Sequence, residues 1–130
     1  MIFDEIQEFR KDLKRLQKKY RSLEDDLEDD LENDLEDDLE DDLEVLKKTL
    51  RIEPDPVPPF SFEIDGLKIS TCIIKVRKIA CKSLKGRGAN SGLRLIYAYF
   101  RDESRIVLVE LYHKSNKPGE DRERIKKYFS

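Results

Sequence analysis

The chain has no tryptophan, one methionine, one histidine and only two cysteines in 130 residues. Cys72 and Cys81 stand nine apart, with no CxxC pair and no histidine pair nearby, which is not a zinc-ligand spacing. They read as two reduced, partly buried thiols rather than a metal site or a disulfide, and no metal or other cofactor is implied. No apolar run is long enough to span a bilayer, and there is no basic amphipathic anchor with exposed Trp or Leu, so a membrane is not the expected partner. The start, MIFDEIQEF, has neither a charged n-region nor an apolar h-region, and a cytoplasmic location is expected. Five glycines and five prolines are too few for a disordered chain, so one globular domain over 1–130 is expected.

What is abundant is charge. The net value of -3 conceals an asymmetry, because the tract LEDDLEDDLENDLEDDLEDDLE, Leu23 to Glu44, carries 15 of the 29 acidic residues and no base. In the rest, 26 basic residues face 14 acidic ones, a net of +12. A body this basic attracts polyanions, and with no membrane signal the favoured polyanion is nucleic acid.

In FDEIQEFRKDLKRLQKKY, the positions Phe3, Ile6, Phe9, Leu13, Leu16 and Tyr20 recur at three- and four-residue steps, predicting an amphipathic first helix with a Lys/Arg outer face. Ser22 resembles an N-cap, so a second helix is expected from about Leu23 to Arg51 or Ile52, stopped by the restriction Pro54 places on Glu53. Within the repeat each leucine advances by about 40° relative to the last, about 200° from Leu23 to Leu43. No coiled-coil seam survives that rotation, and only two or three successive leucines can face one core. Removing Leu27 to Asp42 leaves KKYRSLEDDLEVLKKTL, an ordinary helical hairpin. The tract therefore reads as an in-phase, solvated lengthening at about 23–44, with an acidic arm over the basic body as the alternative.

After the EPDPVPP connector the period changes to alternation. FSFEIDGLKIS predicts a strand ending in an Asp65-Gly66 hairpin turn or a looser loop, followed by strands at about Cys72 to Ala80, Leu93 to Phe100 and Arg105 to Tyr112. A short C-terminal helix should place Ile125, Tyr128 and Phe129 on one side. The fold class is α+β, a helical hairpin packed on a small twisted antiparallel sheet.

Ile74 and Val76 alternate with Lys75 and Arg77, placing both cations on the sheet face away from the helices, expected to be an open basic face. Lys85 and Arg87 lie in the glycine-containing loop KSLKGRGANSG, Arg94 at the start of the next strand, and His113, Lys114 and Lys117 at the end of the last. Singly, such cations serve as solubility and edge-protecting residues, and a lone histidine as a packing residue. Converging on one face, they suit phosphate binding. There is no Ser/His/Asp constellation, P-loop, catalytic carboxylate pair or metal-ligand cluster, so any catalysis is expected to be metal-free and cation-driven.

The blocks KKYRSLEDDL, KVRKI, KGRG, SGLRLIYAYF and VLVELYHKSNK together resemble the RelE/ParE superfamily of type II toxins, over nearly the whole chain apart from the repeat, with SGLRLIY and ELYHKS the most specific. The resemblance implies two helices followed by a twisted antiparallel sheet. Members begin with a short first strand, which MIFDEI does not match. It also implies a cognate antitoxin as partner, and either ribosome-dependent mRNA cleavage or poisoning of gyrase. For the cleaving branch, Lys75, Arg77, Arg94 and His113 take the catalytic places, and Lys85, Arg87, Lys114 and Lys117 hold RNA. The chain departs from that pattern at Ser115, where the family has arginine, and in lacking a tyrosine near Asp121. An inactive binding module of the same fold, with the acidic arm on the basic face, is the third reading.

Overall fold

A computed structural model describes residues 1–23, 30–77, 79 and 92–130, without the side chains of 19–23 and 30–38. The described chain runs β1 (Ile2–Glu5), α1 (Gln7–Leu23), α2 (Asp30–Ile52), β2 (Ser61–Glu63), β3 (Cys72–Val76), β4 (Leu93–Phe100), β5 (Arg105–His113) and α3 (Arg122–Phe129). The five strands form one sheet in the order β1-β5-β4-β3-β2. The α+β class is as expected, but the sheet is mixed. β1 pairs with β5 in parallel, Ile2 opposite Arg105 through Glu5 opposite Leu108, and the other pairings are antiparallel.

β1 corrects the expected first helix. Phe3 is in the strand, and α1 starts only at Gln7, because the backbone of residues 2–5 completes the outer edge of β5 with main-chain hydrogen bonds that a helix could not offer. From Gln7 onward the predicted stripe holds, with Phe9, Leu13 and Leu16 buried against the sheet. Ser22 does not cap a second helix, because α1 continues through it to Leu23.

Among the described side chains of α2 the buried leucines are Leu39, Leu43, Leu46 and Leu50, steps of four, three and four that keep one face toward the core, with Asp42 buried beside them. Leu39 and Leu43 belong to the repeat, so its end is part of the core. Arg10 pairs with Glu40 at 3.2 Å. From that contact Leu23 lies about 20 Å along α1 and Asp30 about 15 Å along α2, and the few residues joining them require the helices to be antiparallel. The second half of α1 therefore runs beside the repeat.

β2 and β3 are joined by residues 64–71 rather than by a two-residue turn at Asp65-Gly66, and Gly66 takes φ 81° inside that loop. β3 spans Cys72–Val76 and Arg77 already lies outside it, while Lys78 and Ala80 of the expected strand lie outside the described residues. Each sheet face has a core. On one side Ile74, Val76, Leu95, Tyr97, Ile106 and Leu108 meet α1 and α2. On the other, Ile73, Ile96, Ala98, Val107 and Val109 meet Ile64 and Leu67 of the β2–β3 loop and Ile125 of α3. Buried Tyr97 donates to the Pro54 carbonyl at 2.6 Å, and burial raises its hydroxyl well above the ordinary tyrosine value.

The pairing of β4 with β5 contains a register shift, with Tyr97 opposite Leu108 but Ile96 opposite Glu110, leaving Val109 as an extra residue. Beyond it the Val109 carbonyl and Leu111 N–H are met by side chains. Arg124 Nη1 donates to Val109 O at 3.0 Å and to Asp12 Oδ2 at 2.7 Å, and the same Asp12 oxygen accepts from Leu111 N at 3.2 Å. One ion pair thus joins α1, β5 and α3 where β1 is too short to cover the edge.

Two outcomes are expected. Arg124→Met strands the Asp12 carboxylate in the interior and should lower stability by about 3–5 kcal/mol, read as a fall in the urea midpoint. Arg124→Lys should recover only part of this, since an ammonium cannot reproduce the forked contact. Deletion of Leu27–Asp42 should leave a cooperatively folding protein, since Leu23 then stands four residues before Leu43, where Leu39 stands now. In that variant α1 must end earlier and Ser22 can become the N-cap. Ser22→Ala should then cost about 1 kcal/mol in the deletion variant and much less in the full chain.

Candidate nucleic-acid interface

The sheet face bearing Lys75 is not open, which corrects the sequence expectation, because α3 and the β2–β3 loop cover its centre. Ile125, Ile64 and Leu67 fill the area over Ile73, Ile96 and Ala98, and the cations are left at its margin. The amphipathicity of the short C-terminal segment foreshadowed this, since Ile125 and Phe129 needed an apolar surface.

At that margin Lys75, with a side chain only 15% exposed, sits beside Glu120 at 3.5 Å. Burial tends to raise the Glu120 carboxyl, but its own backbone N–H, Lys75 and Arg122 together hold it below the ordinary value. The Lys75 ammonium is also 5.7 Å from the centre of the Tyr112 ring, and the Lys117 ammonium is 5.1 Å from the same ring. Lys117 pairs with Glu110, a fully buried carboxylate that also accepts from Asp121 N at 2.8 Å. Tyr112 is thus bracketed by two lysines, each answered by a carboxylate of the same chain.

Arg94 stands opposite Tyr112 in the ladder, and its Nη1 donates to the Arg77 carbonyl at 2.9 Å and the Leu93 carbonyl at 3.1 Å. It bridges the ends of β3 and β4. Arg77 is exposed just beyond β3, with its guanidinium 5.9 Å from the Phe62 ring. The structure therefore brings Lys75, Arg77, Arg94 and Lys117 to one side of the sheet.

His113 belongs elsewhere. It stands opposite Leu93, on the side of the helical hairpin, and its Nδ1 accepts from Ser115 N at 3.1 Å with Ser115 Oγ at 2.7 Å. Gly92, at φ 87°, leaves the space the imidazole uses, since a Cβ there would lie 2.6 Å from His113 Nε2. The cause is the extra residue at Val109. Strict alternation from Val107 would carry Leu111 and His113 to the Lys75 side, but the shift reverses the parity and sends Leu111 into the hairpin core and Tyr112 to Lys75. Lys114 is exposed beyond it, its N–H donating to Gly92 O at 2.9 Å. Lys85 and Arg87 lie outside the described residues.

Sequence reasoning missed Glu110, Glu120 and Arg124. Glu110 carried a signal, as the one acid inside the apolar run RIVLVELY. Glu120 and Arg124 carried none, because their partners are distant in sequence. Among the described residues no group of His, Cys, Asp or Glu is arranged to hold a metal ion, and no helix is long and apolar enough to cross a membrane. No protein-family model and no curated protein sequence matches the chain.

The carboxylates at Lys75 and Lys117 occupy cations that a phosphate would otherwise meet. Glu120→Gln should tighten binding to a short single-stranded RNA and steepen its salt dependence by roughly 0.7 in log–log slope, one phosphate's worth. Fluorescence anisotropy over a salt series measures both, and an unchanged slope would take Lys75 out of the interface.

Proposed function

We propose that the protein is the toxin component of a type II toxin–antitoxin pair, of RelE/ParE type, acting as a metal-free, ribosome-dependent mRNA endonuclease in the cytoplasm. The observation that carries the reading is the gathering of Lys75, Arg77 and Arg94 at the ends of β3 and β4, from the KVRKI and SGLRLIY blocks that carry the resemblance. The element order, a strand and helical hairpin followed by an antiparallel meander, supports it further.

In this reading a ribose 2′-oxygen loses its proton, attacks the adjacent phosphorus and expels the 5′-oxygen of the next nucleotide, which takes up a proton. Lys75, Arg77 and Arg94 offset charge on the phosphate oxygens, Lys114 and Lys117 hold the flanking backbone, and His113 transfers protons from the sheet end, across β5 from Lys75. The partner is an antitoxin whose acidic or apolar residues cover these cations.

A second reading, a gyrase-directed toxin or an inactive binding module of the same fold, is favoured by two observations. Lys75 and Lys117 already have internal carboxylate partners, and His113 stands on the other side of β5 from Lys75. Arg94→Ala and His113→Ala separate the readings. Each should cut mRNA cleavage on translating ribosomes by about 10²-fold or more while the protein stays folded and binds its antitoxin. Full toxicity in both variants, together with inhibition of gyrase supercoiling, would replace the nuclease with the gyrase reading.

A further inference from the structure

The cations at the rim of the Lys75 face are of two kinds. Lys75 and Lys117 are answered by Glu120 and Glu110, whereas Arg77 and Arg94 have no carboxylate partner among the described residues. Val76 stands opposite Leu95, and the bond from Arg94 Nη1 to the Arg77 carbonyl carries the β3–β4 pairing one step further, so the two arginines are neighbours. Arg94 spends Nη1 on the carbonyls of Arg77 and Leu93, which holds the side chain in place and leaves its other N–H groups for a ligand. Two adjacent guanidiniums without counter-charges are a seat for a forked oxyanion such as a phosphate.

The second observation is Phe62. It stands on the edge strand β2 opposite Lys75, and therefore on the same sheet face. Ile64 joins the core under α3 and Phe60 packs against the core of the hairpin side, but Phe62 belongs to neither and is left half-buried. The Arg77 guanidinium lies 5.9 Å from the centre of its ring, near the outer limit of a cation–π contact. That contact is weak enough for Arg77 to exchange it for a phosphate.

A single surface phenylalanine is ordinary, and so is an exposed arginine. A half-open aromatic ring beside two uncompensated guanidiniums is the combination that holds single-stranded nucleic acid, with a base on the ring and the backbone on the cations. A duplex does not suit it, because bases already stacked in a helix offer no free face.

We propose that Phe62 is the stacking platform of a single-stranded RNA site, with one base against its ring and the adjoining phosphate between Arg77 and Arg94. β2 and β4 are two strand spacings apart, about 10 Å, a gap that one nucleotide and the arginine side chains bridge together. The inference rests on the proposed function for the identity of the ligand, and not for any step of cleavage.

Fluorescence anisotropy of the full chain with a short oligouridylate, and with an abasic ribose-phosphate oligomer of the same length, tests this. Phe62→Leu should weaken uridylate binding by about tenfold with its salt slope unchanged, and leave the abasic oligomer as it was. Phe62→Tyr keeps the ring and should bind uridylate within about twofold of the parent. Arg77→Gln should weaken both ligands and lower the log–log salt slope by roughly 0.7. Both ligands are read on one sample, so a change in folded fraction moves them together and does not imitate a loss confined to uridylate. Parental uridylate affinity in Phe62→Leu, an equal loss on both ligands, or no uridylate binding by the parent would overturn the platform. Cleavage of mRNA on translating ribosomes is read separately. Cleavage by the parent with uridylate affinity indifferent to Phe62 would sink the platform and leave the endonuclease standing, whereas Phe62-dependent binding in a protein that cleaves nothing would support the platform and end the endonuclease reading.

Discussion

One extra residue in β5 sets the terms for the rest of the molecule. Because Val109 has no partner on β4, the strand changes parity there, and its outer backbone groups at Val109 and Leu111 face away from the ladder where β1 no longer covers them. Buried backbone groups must find partners, and here one carboxylate and one guanidinium provide them. Asp12 is locked to the hairpin core by the Phe9, Leu13 and Leu16 stripe around it, and Arg124 is carried by α3. The Asp12–Arg124 pair is therefore both the patch on a broken strand edge and the joint that holds α3 against the sheet. Tyr128, donating to Glu8 at 2.7 Å, adds a second, exposed tie between α1 and α3.

Function is constrained by the same irregularity. A regular β5 would have put His113 on the sheet face of Lys75 and Arg94. The shifted strand puts Tyr112 there and leaves His113 at the sheet end, braced by Ser115 and Gly92. Covering the sheet centre with Ile125 pushes the cations to its rim, where Glu110 and Glu120 moderate them. Lys75 and Lys117 are thus held in partly neutralised form, so any polyanion meeting them must compete with the chain's own carboxylates.

The acidic repeat is of a different kind. A four-residue spacing advances each leucine by about 40° on an ideal helix, and among the described side chains Leu39 and Leu43 lie on the face that Leu46 and Leu50 define. The tract therefore enters the core at one end through geometry rather than through any special residue. Beside it, α1 continues through Ser22 to Leu23 rather than ending at the serine.

The sequence by itself determined the α+β class, the hairpin followed by strands, the apolar stripes of both long helices, and the pairing of Lys75 with Arg77 on one face. These depend on periods of 3.6 and 2 that local residue order carries. Tertiary structure alone decided that Ile2–Glu5 is a strand rather than a first helical turn, because only the uncovered edge of β5 gives that segment its hydrogen bonds. It also decided that Tyr112 and not His113 joins Lys75, since an extra residue is visible only against the strand it fails to pair with. The Asp12–Arg124 pair spans most of the chain, and no pattern in local sequence couples residues so far apart. Their meeting follows from where α1 and α3 pack, which is set by the two cores on opposite faces of the sheet.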